Sequence, residues 1–321
     1  MGAARLTHLP LGATALLAFF VAGLLVTPPA ARATSFVVKC ASTHVASDDP
    51  IVFPGQAGAA HRHEFYGARG VTAASTAPEL HRSSSSCRLR ADTAAYWAPT
   101  LEVDGRLVRG SLAAYYTRGT KPRAAALPAG LKLVAGNPHA ATPQSMRITD
   151  WQCIGGAARS TTGARSASPH ARIVPTTCRS DQRLGAWIRF PDCWNGRDLD
   201  SPDHKTHLAY ASPKGACPAS HPVAVMQLQL LITWPVRPRP ASIVTLAGGR
   251  LAATGMHADF WNTWQQSTLR QLRWNCIEVA ANCGELSSGA TRYASAWPAP
   301  EFGASPAADA GSGVMSPSMP M

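Results

Sequence analysis

Residues 97–108 read Trp-Ala-Pro-Thr-Leu-Glu-Val-Asp-Gly-Arg-Leu-Val. Two short runs flank Asp104-Gly105, the kind of dipeptide that supplies the two left-handed residues of a tight hairpin turn. The reading is a strand over Trp97–Val103, a turn, and a second strand over Arg106–Val108. The same signature recurs along the chain at Leu112–Thr117, Leu131–Val134, Met146–Ile154, Ala186–Phe190, His207–Ala211, Val223–Trp234 and Ile243–Leu246. Val223–Trp234 alternates only loosely, which predicts a strand buried on both faces. One helix is expected over Asp259–Cys276, where Leu269, Leu272 and Cys276 recur at three- and four-residue spacing. Frequent turn signals, with 26 Gly and 26 Pro in 321 residues, suit short elements and long loops. The fold class expected is mainly β: a single antiparallel β-sandwich or jelly-roll-like domain with short helices and long disulfide-tied loops. A Rossmann-like fold is excluded by the lack of alternating helices and of any Gly-x-Gly-x-x-Gly.

The ends of the chain read differently from its middle. Residues 1–33 have the form of a secretory signal peptide: Arg5, an uncharged apolar stretch from Leu9 to Val26, Thr27-Pro28-Pro29, then the small-x-small Ala31-Arg32-Ala33. An uncleaved anchor is the competing reading, because the apolar stretch approaches spanning length. No later stretch is long and apolar enough to span. Residues 34–284 then form one secreted β-rich domain, and 285–321, rich in Ala, Ser, Gly and Pro, a disordered tail.

Export gives the cysteines a role. Cys40, Cys87, Cys153, Cys178, Cys193, Cys217, Cys276 and Cys283 are even in number and all lie after the leader. In an oxidising compartment they are expected to form disulfides; many connectivities are possible, and pairing consecutive cysteines is the simplest. No Cys-x-x-Cys pair suggests a zinc knuckle or redox site.

The formal charge is +12. Loss of Arg5 and Arg32 with the leader lowers it to +10, and only five of the basic residues are Lys. Arg159, Arg165, Arg172, Arg179, Arg183 and Arg189 could form a polyanion patch, but the segment around Cys153 and Cys178 reads as a solvated surface loop. No nucleic-acid motif is present, and no nucleic-acid partner is expected. P-loop, His-Glu-x-x-His and Gly-x-Ser-x-Gly motifs are absent as well.

Three clusters concentrate chemistry. The first runs Asp48-Asp49-Pro50-Ile51-Val52-Phe53-Pro54-Gly55 and then His61-Arg62-His63-Glu64. On a strand, His61 and His63 would share a face, as two ligands of one metal ion do. The second holds Asp192, Asp198, Asp200, Asp203, His204 and His207. The third, Met256-His257-Ala258-Asp259, again offers two donors one residue apart. Each cluster also has a plain structural reading, since Asp beside Pro, Gly or Ser is a turn residue first. Together they motivate a shared site for Zn²⁺, Mn²⁺, Fe²⁺ or Cu²⁺ with His61, His63, His207 and His257 as ligands. Asp200, Asp203, Asp259 and His204 are the candidate catalytic groups, with Glu64 and Asp192 as further carboxylates. His81, His139 and His170 are set aside for their polar or Pro-rich surroundings. Gly55-x5-His61-x-His63 matches the opening of a cupin motif, but the later Glu is not at cupin spacing.

The whole series resembles a family of secreted fungal and bacterial proteins known as a domain of unknown function, in fungi often joined to wall-binding WSC modules. The residues that carry the resemblance span roughly 37–284. They are Asp49-Pro50-Ile51-Val52-Phe53-Pro54-Gly55 with His61-x-His63-x-Phe65-x-Gly67; Ser75-Thr76; Cys87 with Asp92 and Ala95-Tyr96-Trp97-x-Pro99; Phe190-Pro191-Asp192-Cys193-Trp194-x-Gly196; Leu199-Asp200-Ser201-Pro202-Asp203-His204 with His207 and Ala209-Tyr210; Cys217-Pro218-x-Ser220-His221-Pro222; and Met256-His257-x-Asp259-Phe260-x-Asn262-x-Trp264. The resemblance implies an extracellular location, one domain and a wall or polysaccharide context, and adds His221 to the candidates. It implies no particular activity.

The expected function is therefore a metal-binding protein acting on extracellular or cell-wall polysaccharide, as a hydrolase or lyase. Tyr66, Trp97, Trp194, Tyr210 and Trp264 are the candidates for stacking on sugar rings. The alternative is a non-catalytic carbohydrate- or wall-binding module. A copper oxygenase is disfavoured, because its histidine brace needs an N-terminal His and the expected cleavage leaves Thr34.

Overall fold

Alternating burial along the strands sets the architecture. In the computed structural model, which describes residues 1–2, 34–155, 167–279 and 282–288, the longest strand is β1, Ser35–Ala46. Its companions are β2 His63–Gly67, β3 Ala95–Pro99, β4 Ser111–Thr117, β5 Lys132–Gly136, β6 Thr149–Ile154, β7 Arg183–Arg189, β8 Gln227–Trp234 and β9 His257–Trp261. They hydrogen-bond in the order β5-β9-β3-β2-β1-β4-β8-β7-β6. All these pairings are antiparallel; Gly284–Leu286 adds a parallel partner to β1.

β1 makes one path into two sheets. Its first half, Ser35–Ala41, pairs with β4, and its second half pairs with β2 after an irregularity between Ser42 and His44. One sheet is therefore β5-β9-β3-β2 and the other β4-β8-β7-β6, with β1 bending from one to the other. Phe36 and Val38 of β1, Tyr96 of β3, Leu133 of β5, Phe260 of β9, Tyr116 of β4, Leu230 of β8 and Ile188 of β7 share a single core. This is a mainly β, antiparallel sandwich. A second apolar cluster with Ile51, Phe65, Leu80, Trp97 and Trp261 lies on the other face of β2, β3 and β9.

The Asp104-Gly105 turn forms as expected: both residues have positive φ, 53° and 75°. The strand before it breaks at Thr100, however. β3 stays in the main sheet while Leu101–Val103 enters a small sheet with Arg106–Val108, Val244–Leu246 and Arg250–Leu251. The expected Val223–Trp234 strand also divides. Val223–Ala224 pairs with Cys193–Trp194, and Gln227, Gln229 and Thr233 of β8 are half-exposed beside a buried Leu231, so this strand is fully buried on one face and only in part on the other. The expected Asp259–Cys276 helix starts seven residues late: Asp259–Trp261 completes β9 between β3 and β5, and α3 spans Gln266–Leu272 before a π-helical turn over Arg273–Glu278. Two shorter helices precede it, α1 Ala77–Arg82 and α2 Ala252–Gly255.

The cysteines pair consecutively: Cys40–Cys87, Cys153–Cys178, Cys193–Cys217 and Cys276–Cys283. Ordered pairing continues to Leu286, past the expected domain end at 284. Residues 3–33 of the expected leader and 289–321 of the expected tail lie outside the described residues. Among the described residues no helix is long and apolar enough to cross a membrane.

Candidate metal centre

The site is built on the face of β2, β3 and β9 that points away from the main core. His257 and Asp259 alternate along β9 and so share this face. β3 lies between them and β2, with Trp97 opposite both Asp259 and Phe65, and Pro99 opposite His63. The 47–62 loop folds over this surface and brings Asp49 and His61 down onto it. Donor atoms of His61, His63 and His257 lie within 4.8 Å of one another, as do those of Asp49, His63 and Asp259. His63 belongs to both sets, so five side chains form one group. Four of them are buried: His63, His257, Asp49 and Asp259 are 0–4% exposed. His61 is partly open.

Backbone carbonyls fix the imidazole tautomers. His63 Nδ1–H donates to Asp48 O at 2.9 Å, and His257 Nδ1–H donates to Gly255 O at 2.8 Å. A carbonyl can only accept, so each Nδ1 carries the proton and each Nε2 presents a lone pair. This is how metal-ligating histidines are usually oriented. His257 Nε2 lies 3.1 Å from His61 Nε2. Two imidazoles bound at ~2.0–2.1 Å to one Zn²⁺ place their nitrogens at about this separation. His63 Nε2 and both carboxylate oxygens of Asp259 are buried without a hydrogen-bond partner. Uncompensated polar atoms of this kind are rare and costly in a folded protein. The donor set therefore fits a divalent transition-metal ion.

The electrostatics agree. Burial holds His61 and His63 below the usual imidazole range and takes His257 down to about 3, so all three are neutral and ligand-competent at pH 7. Burial pushes Asp259 well above the usual carboxylate range, and the Asp49 charge adds to this. Asp49 is also raised by burial, although Ile51 N–H and Val52 N–H both donate to its Oδ1. A cation in the group would supply the compensating charge that these carboxylates lack.

A pocket of about 200 Å³ opens beside His61 and His257, with Pro99, Pro138, His139 and Arg250 on its walls. His139, set aside in the sequence, is thus a wall residue of the site, and its charge bears on both His61 and His257.

A family profile, Domain of unknown function (DUF1996), matches residues 49–264 of the 321. The chain belongs to the DUF1996 family. The DUF1996 match opens on Asp49 and closes on Trp264, so all five donors lie inside it. No curated protein and no solved structure matches the chain.

Within this DUF1996 domain several expected site residues stand apart from the group. His207 is not a member: its Nε2–H donates to Lys132 O at 2.8 Å and its Nδ1 lies 2.9 Å from Ser201 Oγ, which uses both nitrogens. Asp203 accepts from Ser201 Oγ, Lys205 N, Thr206 N and Thr206 Oγ1, and these bonds hold it far below the usual carboxylate range. It shapes its own loop. Asp200 pairs with Lys132 and His204 at 2.9 and 2.8 Å. His221 Nε2–H donates to Thr206 O, pinning the same loop. This loop borders the site, since the His204 charge bears on Asp49 and the Lys205 charge on Asp259 and His257.

The aromatic candidates divide in the same way. Tyr66, Trp97 and Trp264 are 0–1% exposed and cannot stack on a sugar; they are core. Trp194 and Tyr210 are half-buried, with Trp194 Nε1–H on Asp198 O and Tyr210 OH on Arg189 O. Asp192 forms a buried ion pair with Lys121. Glu64 accepts from Gly110 N.

Proposed function

We propose that this exported chain is a metalloprotein in which His61, His63 and His257 hold one divalent transition-metal ion beside Asp259, and that the centre acts on an extracellular or cell-wall polysaccharide as a hydrolase or lyase. The observation that carries the metal reading is the convergence of three imidazoles on a spot where His63 Nε2 and both Asp259 oxygens have no other partner. A divalent ion held by these residues would supply Lewis acidity beside the pocket that His61 and His257 line. His61, the open member of the group, faces the pocket, and Arg250 gives its wall positive character suited to an anionic substrate. The extracellular setting is supported by the four disulfides and by the leader-like composition of residues 1–33.

A non-catalytic wall-binding protein with a structural metal is the second reading. It is favoured by the near closure of the group, since only His61 is partly exposed. Release of soluble sugar from purified wall polysaccharide separates the two. Turnover that is lost in His257→Ala and kept in Asp203→Asn supports the enzyme. Retention on the polymer without release in wild type supports the binding protein.

A further inference from the structure

The outer face of the β4-β8-β7 sheet carries side chains that a merely solvated sheet does not require. Tyr115, Gln229 and Arg189 stand side by side in one cross-strand row. Trp187 stands on the same face, one step along β7, and Gln227 one step along β8. All five are partly exposed. The Tyr115 and Trp187 rings are 5.0 Å apart at 48°, and the Arg189 guanidinium lies 5.8 Å from the Trp187 ring. Trp187 Nε1–H donates to the buried Gln152 Oε1 at 2.9 Å, which locks the indole in place.

A pocket of about 330 Å³ adjoins this row, with Arg147, Arg189, Tyr210, Gln227 and Gln229 around it. That volume is at the lower end of the ~300–1,000 Å³ of small-ligand pockets. The charges at the pocket do not cancel. Arg189 pairs with Asp150 at 2.5 Å, and Lys121 pairs with Asp192. Arg147 donates to Ala211 O at 2.6 Å and has no carboxylate partner among the described residues. One guanidinium therefore stands uncompensated and exposed in a pocket that it shares with the two planar amides, next to the row that carries the aromatic pair.

We infer that this face binds an acidic polysaccharide, one whose sugar rings carry carboxylates. Ring C–H faces pack on the Tyr115 and Trp187 rings. The Gln227 and Gln229 amides offer both donors and acceptors to sugar hydroxyls. Arg147 has the fork geometry that grips a carboxylate. A nucleic acid fits less well, because ion pairs neutralise every other cation at the pocket and a phosphate backbone is gripped by many cations at once. The surface lies on a different sheet from the His/Asp group. It takes from the proposed function only that the chain works outside the cell on a polymer.

Affinity electrophoresis in gels containing polygalacturonate, a neutral β-glucan or duplex DNA tests this on the full secreted chain. The expected result is retardation by polygalacturonate that weakens at least about tenfold in Arg147→Gln and in Trp187→Ala, a change typical of a lost charge-assisted contact. Arg147 is exposed, so its variant keeps the inference testable if Trp187→Ala fails to fold. Unchanged retardation in Arg147→Gln overturns the inference, as does equal retardation of wild type by the neutral glucan or by DNA. Metal content measured on the same samples is expected to stay at wild-type level. A chain that binds polygalacturonate but holds no metal contradicts the metal centre alone, and the converse contradicts this surface alone.

Discussion

Asp259 bears a large unrelieved electrostatic cost: both oxygens are buried and unpartnered, with Asp49 close by. In metal-free protein at neutral pH, Asp259→Asn is expected to raise stability, because the amide carries no charge to bury beside Asp49 and takes up no proton on folding. The same change should weaken metal binding, so chelator would lower the melting temperature of the wild type more than that of the variant. Denaturant titration with and without chelator measures both effects. Asp92 gives a second prediction. It is buried against Tyr96 OH at 2.8 Å, and burial raises it from 3.8 to about 8. The folded chain therefore keeps a proton that the unfolded chain releases above pH 3.8. This contribution to stability is complete below that pH and is lost as pH rises towards 8. Asp92→Asn should gain on the wild type steadily between those limits in paired melting curves; a constant difference would contradict the assignment. At this scale the sequence made His61, His63, His257 and Asp259 legible as x-spaced donor pairs; the strand reading holds for His257 and Asp259 on β9, whereas β2 starts only at His63 and His61 reaches the group from the preceding loop. Burial was not legible. Trp97 and Trp264 look like stacking platforms in a string of letters and are core in the fold. His207 and Asp203 sit in the right motif but spend their polar atoms on their own loop. His139 gave no signal, because its role comes from the loop that sets it beside His61.

The elements explain how distant motifs meet. β9 lies inside its sheet, so all five of its residues are buried, and His257 is held from below by β5. Gly136 makes that possible. It pairs with His257 at φ 85°, and a Cβ there would lie 2.6 Å from Met256 O and 2.9 Å from His257 Cα. Gly136→Ala should cost at least about 1–2 kcal/mol through the left-handed backbone alone. Because it also displaces His257, metal affinity should fall with it, which a metal titration of the purified variant would read. The hairpin at Asp104-Gly105 was legible because its turn chemistry is local. β1 was not: Ser35–Ala46 lacks clean alternation because it serves two sheets in turn. Helical spacing in 259–276 misled for a similar reason. Leu269, Leu272 and Cys276 do face the core, while Asp259–Trp261 is claimed by pairing with strands far away in sequence.

The whole molecule is a sandwich stapled at four places, with its metal-type donors on one sheet and a polar, aromatic face on the other. Cys40–Cys87 ties the long strand to the segment after α1 across 47 residues. Its removal by paired Ala substitution should cost about 2–5 kcal/mol and lower the yield of folded protein. Consecutive pairing was the simplest connectivity to write down, and the fold adopts it, since each pair closes a local loop. The net charge said less: its Arg excess is spread over loops and ion pairs, and only particular residues such as Arg147 and Arg250 line pockets. The central claim is that three imidazoles, two from one motif and one from a distant strand, hold one ion. Elemental analysis of protein purified without added metal or chelator tests it most directly. The account predicts about one divalent transition-metal ion per chain in the wild type and in His207→Gln, and none in His257→Ala. Metal-free wild type that takes up no Zn²⁺, Mn²⁺, Fe²⁺ or Cu²⁺ when each is supplied, and melts at the same temperature with and without chelator, would contradict it.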